Sequence, residues 1–206
     1  MGAIHSASIS EFLTRWETRQ LRGYVPCRPR KYTGKHDMDG YDPIGQSGVT
    51  IATGLDLGQQ NRTSLIMYGI TGDLQDKLAY YLGKTRYRAI EALHDAPLCI
   101  NDAECDVIDA GVQAAFTRMA ARAFDTAAGP DATHFENIPA EAQTVIVSLF
   151  YQLGGTWNRY FPTSLWAALT SCRWTDAAAI LRADTSPYQA RRHSEARILG
   201  HINKKQ

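Results

Sequence analysis

Apolar residues recur at positions 9, 12, 13 and 16, so Ile9, Phe12, Leu13 and Trp16 line one side of a short amphipathic helix. Ser8 and Glu11 stand at capping-box spacing in front of that stripe, and Gly23 and Pro26 close it, which predicts a helix over 8–22. The pattern then changes. From Tyr24 to Gln60, glycines at 34, 40, 45, 48, 54 and 58 alternate with short β-branched pieces, and Val49 to Thr53 is the clearest strand. These features predict a loop-rich small sheet occupying 23–62.

After Asn61 the period is helical, and no further sheet is expected. Helices are predicted over 64–68, 73–82, 86–93, 101–128, 139–154, 163–170, 175–183 and 187–202, with Gly129-Pro130, Pro162, Asp184 and Pro187 as breaks. The helix opened by Pro139 carries Val145, Ile146, Leu149, Phe150 and Leu153 on one side, the pattern of a helix central to a helical core. One helix, then a small glycine-rich β lobe, then a larger all-helical lobe over 63–206 is an α+β arrangement. It forms a single domain over 1–206, with a cleft expected between the lobes.

Composition narrows the partners. Lys and Arg number 22 against 21 Asp and Glu, giving a formal charge of +1, which supplies no general field for nucleic acid. No apolar run reaches the roughly 20 residues that span a bilayer. Met1 to Ser10 lacks the basic start and apolar stretch of a signal peptide, so synthesis in the cytoplasm is expected. Cysteines at 27, 99, 105 and 172 show no CxxC pair, and a loop disulfide joining Cys99 to Cys105 would require an oxidising compartment.

Glu17 follows the apolar stripe near a helix C-terminus, where backbone carbonyls disfavour a further negative charge. Beside Trp16 and partly desolvated, such a carboxyl would hold its proton as a general acid requires; an exposed helix-end glutamate is the plain alternative. Thr50 lies on the strand-like segment and Asp56 six residues on, where strand propensity and turn formation would also account for them. Glycosidic hydrolysis uses one protonated carboxyl and one carboxylate, so Glu17 and Asp56 are candidates for the pair.

Trp16-Glu17, Gly48-Val49-Thr50-Ile51 and Gly54-Leu55-Asp56-Leu57-Gly58 together resemble the catalytic domain of the bacterial toxin pesticin, itself similar to phage lysozymes of the T-even type. The resemblance extends more loosely into Phe150 to Gly154 and Tyr188 to Arg192. It implies a lysozyme-like fold, with Glu17 as proton donor, Thr50 orienting water, Asp56 as second carboxylate and inversion at the anomeric carbon. Two departures stand out: an insertion between Cys27 and Gln46, and Leu55 where the phage enzymes carry histidine. Gln152, Arg191 and Arg192 are candidates for contact with the saccharide or its peptide stem, or else a helix-surface amide and a solvated basic turn.

Other signals carry less. Asp37 to Asp42 begins like a calcium loop, but Tyr41 breaks the ligand order. Neither HExxH spacing nor a phosphate-cradling glycine loop occurs, and no signature surrounds Cys27 and His36 as a peptidase pair. Trp157, Tyr160, Phe161 and Trp166 would serve either as sugar platforms or as core.

The expected function is hydrolysis of the bond between N-acetylmuramic acid and N-acetylglucosamine in peptidoglycan, by a monomer using neither metal nor cofactor. The chain would be an antibacterial effector or phage-type lysin, reaching the periplasm or wall of a target or host bacterium by a secretion apparatus, a phage hole-forming protein or producer lysis. An immunity protein would then be a partner. A non-catalytic wall-binding or assembly module and a chitin or chitosan hydrolase are the alternatives.

Overall fold

The computed structural model describes residues 3–29, 41–154 and 162–202. These form two compact units, 17–114 and a discontinuous one of 1–16 with 115–206. The helices that follow the sheet belong with it as far as Ala114.

In the unit 17–114, β1 (Gln20–Tyr24), β4 (Thr50–Ala52) and β5 (Leu55–Asp56) form an antiparallel sheet in the order β1-β4-β5. β2 (Cys27–Pro29) pairs antiparallel with β3 (Tyr41–Pro43) as a separate ribbon. Helices α2 (Arg62–Met67), α3 (Gly72–Ala79) and α4 (Tyr87–Asp95) follow, then the opening turns of α5 (Asp102–Ala128). Val49, Ile51, Leu55, Leu57, Leu65, Ile70 and Leu78 are buried, so β4 has no solvent face. Gly111 lets α5 lie against α2's exit: a Cβ there would sit 1.8 Å from the Tyr68 carbonyl oxygen.

The predicted helix over 8–22 is corrected at both ends. α1 runs Ser6–Trp16, placing Ser8 and Glu11 inside it, and Glu11 pairs with Arg15 one turn on. Residues 20–24 are strand because long-range pairing outweighs their local preference. Gly23 N–H donates to the Leu98 carbonyl at 2.9 Å and Ile100 N–H to the Leu21 carbonyl at 2.9 Å. Gly23 is thus a close-packing glycine and not a helix cap; its Cβ would meet Leu98, Leu93 and Val49 at 3.0–3.1 Å.

The second unit holds α1, the remainder of α5, α6 (Ala140–Leu153), α7 (Thr163–Thr170), α8 (Trp174–Arg182) and α9 (Gln189–Leu199). α6 is the central helix its stripe predicts, with Ala142 to Phe150 all buried. Gln143, fully buried on it, accepts from the His5 N–H and donates to the carbonyls of Ala3, Phe135 and Ile138, so its burial leaves no dangling amide. α5 ends where Gly129 adopts φ +91°, the stop that Gly129-Pro130 announces. Among the described residues no helix is long and apolar enough to cross a membrane.

Candidate active site

The sheet register sets the site. Thr50 lies opposite Asp56 across β4–β5 and opposite Tyr24 across β1–β4, and directly paired residues project from the same face. Tyr24, Thr50 and Asp56 therefore form a row across three strands. Glu17 is the first residue after α1 and is partly buried. Its carboxyl lies over the β4–β5 turn: a Cβ on Gly54 would stand 3.4 Å from Oε2 and 4.0 Å from Cδ. Burial pushes the pKa of the Tyr24 phenol up, and the negative charges of Glu17 and Asp56 push it further. The half-exposed phenol thus stays protonated at neutral pH.

Thr50 is only 5% exposed, so the strand does not offer its hydroxyl freely as simple alternation suggests; Oγ1 reaches the Gly48 carbonyl at 3.5 Å. Asp56 caps the short 3₁₀ turn Leu57–Gln59. Its Oδ1 accepts from Gly48 N–H at 3.0 Å and Gly58 N–H at 2.9 Å, and its Oδ2 from Gly48 N–H at 3.2 Å, with the Gln59 backbone adding to the set. The carboxylate fits there because neither glycine has a side chain: a Cβ on Gly48 would sit 2.4 Å from the Gly58 Cα and 2.7 Å from Asp56 Oδ1. Gly48→Ala is expected to cost about 1–3 kcal/mol by overpacking, read as a lower denaturant midpoint; an unchanged midpoint would refute this close approach.

Burial holds the Asp56 carboxyl above the ordinary carboxylate range, and the backbone donors only partly offset it. Its folded pKa thus exceeds its unfolded one. The stability this contributes is fully present below the ordinary value of about 3.9 and is lost as pH rises through the raised folded value. Asp56→Asn abolishes that titration, so the stability of wild type relative to the variant should fall as pH is raised from about 3.5 to about 7. Urea denaturation across that range checks the sign, and a relative stability that climbs with pH contradicts it.

The three other sequence candidates lie in the second unit. Gln152 sits in the last turn of α6 with Oε1 buried and, among the described residues, lacking a hydrogen-bond partner. Arg191 and Arg192 are 5% and 8% exposed, so the plain alternative of a solvated basic turn does not hold. Arg192 pairs with fully buried Glu195, and Arg191 Nε donates to Ser148 Oγ at 3.1 Å while Ser148 Oγ donates to Glu195 Oε1 at 2.6 Å. This network joins α9 to α6. Trp166 is partly buried against the core, packing on Phe124 and Phe150 with ring centroids 6.5 and 5.8 Å apart. Trp157, Tyr160 and Phe161, residues 37–40 of the calcium-like stretch and His36 lie outside the described residues.

Residues 9–175 match the family model described as Pesticin, a bacterial toxin homologue of phage lysozyme. The chain belongs to the pesticin family. The opening helix, the small antiparallel sheet after it and the helices beyond give this pesticin domain a mixed helix-and-sheet, lysozyme-like fold. The match includes Glu17, Tyr24, Thr50, Asp56 and Gln152 and stops before α9, so Arg191 and Arg192 lie beyond it. No curated protein matches the chain.

In this pesticin domain all four cysteines are free thiols, with Cys99 exposed and Cys105 buried. Burial and the neighbouring Asp109 carboxylate push the Cys105 thiol up to about 11. Among the described residues no group of three or more His, Cys, Asp or Glu side chains is placed to hold a metal. Sequence reasoning missed Tyr24, because extending the first helix to 22 hid the strand that carries it. A strand starting at Gln20 would have put Gln20, Arg22 and Tyr24 on one face.

Proposed function

We propose that this chain is a muramidase cleaving the bond between N-acetylmuramic acid and N-acetylglucosamine in peptidoglycan. Glu17 donates its proton to the glycosidic oxygen as the bond from the anomeric carbon to that oxygen breaks. A water held by Thr50 and Asp56 attacks the same carbon and gives its proton to Asp56. The observation that carries this reading is the gathering of Glu17, Tyr24, Thr50 and Asp56 around one small sheet in a chain of a phage-lysozyme-homologue family. Raised Asp56 basicity suits a group that takes a proton from water. Incubation with purified cell walls should lower turbidity and release reducing ends, with an inverted anomer as the first product.

One observation favours a second reading. Asp56 is committed to the backbone donors of Gly48, Gly58 and Gln59, as a structural capping aspartate would be. A non-catalytic wall-binding module would sediment with insoluble walls without releasing reducing ends. Defined oligosaccharides separate peptidoglycan from chitin or chitosan as substrate. As an antibacterial effector or phage-type lysin, the chain acts in the periplasm or wall after delivery, and an immunity protein would co-purify with it from the producing cell.

A further inference from the structure

The turn joining β4 to β5 is strained, with Ala52 at φ +52° and Gly54 at φ +92°. Glu17 packs over this turn, and Thr50 and Asp56 descend from its two arms. Strand pairing stops at Ala52 on one arm and at Leu55 on the other, so the ladder does not hold Thr53 at the turn itself. The restraint comes from Asp109, one helical turn beyond Cys105 on α5. Its Oδ1 accepts from Thr53 N–H at 2.9 Å and its Oδ2 from the Thr53 hydroxyl at 2.7 Å. Thr53 is 8% exposed and the Asp109 side chain 26%, so this bidentate contact is part-buried.

The same helix face holds the chain just after Glu17. Arg19 donates to Asp106 at 2.7 Å and to Asp102 at 3.0 Å, and stands 3.6 Å from Asp109 Oδ2. Cys105 Sγ reaches Asp109 Oδ2 at 3.6 Å. One surface of α5 thus holds the β4–β5 turn at Thr53 and the residue just before β1 at Arg19.

We propose that Asp109 is a positioning residue that, through Thr53, sets the placement of the Thr50–Asp56 pair against Glu17. The inference rests on the muramidase reading for its kinetic effect, since a misplacement of about 1 Å at a reacting centre can cost roughly 100-fold in rate. Geometry alone decides it structurally.

Thr53→Val removes the hydroxyl at constant shape, Thr53→Ser restores it, and Asp109→Ala removes both acceptors. On soluble wall fragments, at a temperature where each variant is folded, Thr53→Val and Asp109→Ala should lose about tenfold or more in kcat with KM little changed, while Thr53→Ser stays near wild type. The Glu17 carboxyl-carbon and Thr50 methyl resonances should shift in the first two variants and not in the third. Lower melting temperatures with unchanged kcat and unmoved resonances would reduce Asp109 to a stability residue and overturn the proposal. Glu17→Gln run in parallel keeps the two claims apart: if it clears walls like wild type the muramidase reading fails, and the resonances still decide whether Asp109 positions Glu17.

Discussion

Glu17→Gln is expected to lower the rate of wall clearing by roughly 10²–10⁴-fold, the usual contribution of a positioned general acid. The amide keeps the size and polarity of the carboxyl but has no acidic proton for the leaving oxygen. Glu17 lies just beyond α1, partly buried over Gly54, where an amide fits as well as a carboxyl, so the melting temperature should move little. Initial rates on purified walls, with circular dichroism to show that the variant is folded, make the comparison. A folded variant with wild-type rate would remove Glu17 from the chemistry.

Glu195→Ala should have the largest effect on stability, about 3–5 kcal/mol, because removing one partner of a buried ion pair leaves the others uncompensated. Glu195 is fully buried and faces Arg192, Arg191 and the Ser148 hydroxyl. Its loss removes the carboxylate that both guanidinium groups face and leaves the Asp184 charge acting on Arg192. Against a typical total stability of roughly 5–15 kcal/mol, that is a large fraction of the whole. A urea midpoint within about 1 kcal/mol of wild type would show that water reaches these arginines and that α9 is not pinned to α6 by charge.

The helices were legible because their stripes are long and their stops are chemical. Thr163–Thr170 follows its pattern residue for residue, and α5 and α6 each begin one residue after the expected start, α6 also ending one short of it. The catalytic candidates were legible because Thr50 and Asp56 sit on the two arms of one hairpin, six residues apart in sequence and opposite each other in register. Three things were not. β1 is a strand through partners some 30 and 75 residues away, at Thr50 and at Leu98, which no local window contains. Arg191 and Arg192 read as surface charge because Ser148, which completes their cluster with Glu195, lies more than 40 residues upstream. Asp109 is one acid among several on a long helix, and only its two bonds to Thr53 distinguish it.

The resemblance and the geometry bear on one another. Leu55, standing where the phage enzymes carry histidine, is buried at 4% exposure and brings no charge to the sheet. In this chain the turn two residues earlier is instead tied to α5 through Thr53 and Asp109.

Mass spectrometry of the soluble fragments released from purified cell walls identifies the bond that is cut. Disaccharide-peptide fragments whose new reducing end is N-acetylmuramic acid are expected with wild type and not with Glu17→Gln. Fragments with intact glycan and severed peptide stems, or a new reducing end on N-acetylglucosamine, would contradict the muramidase reading.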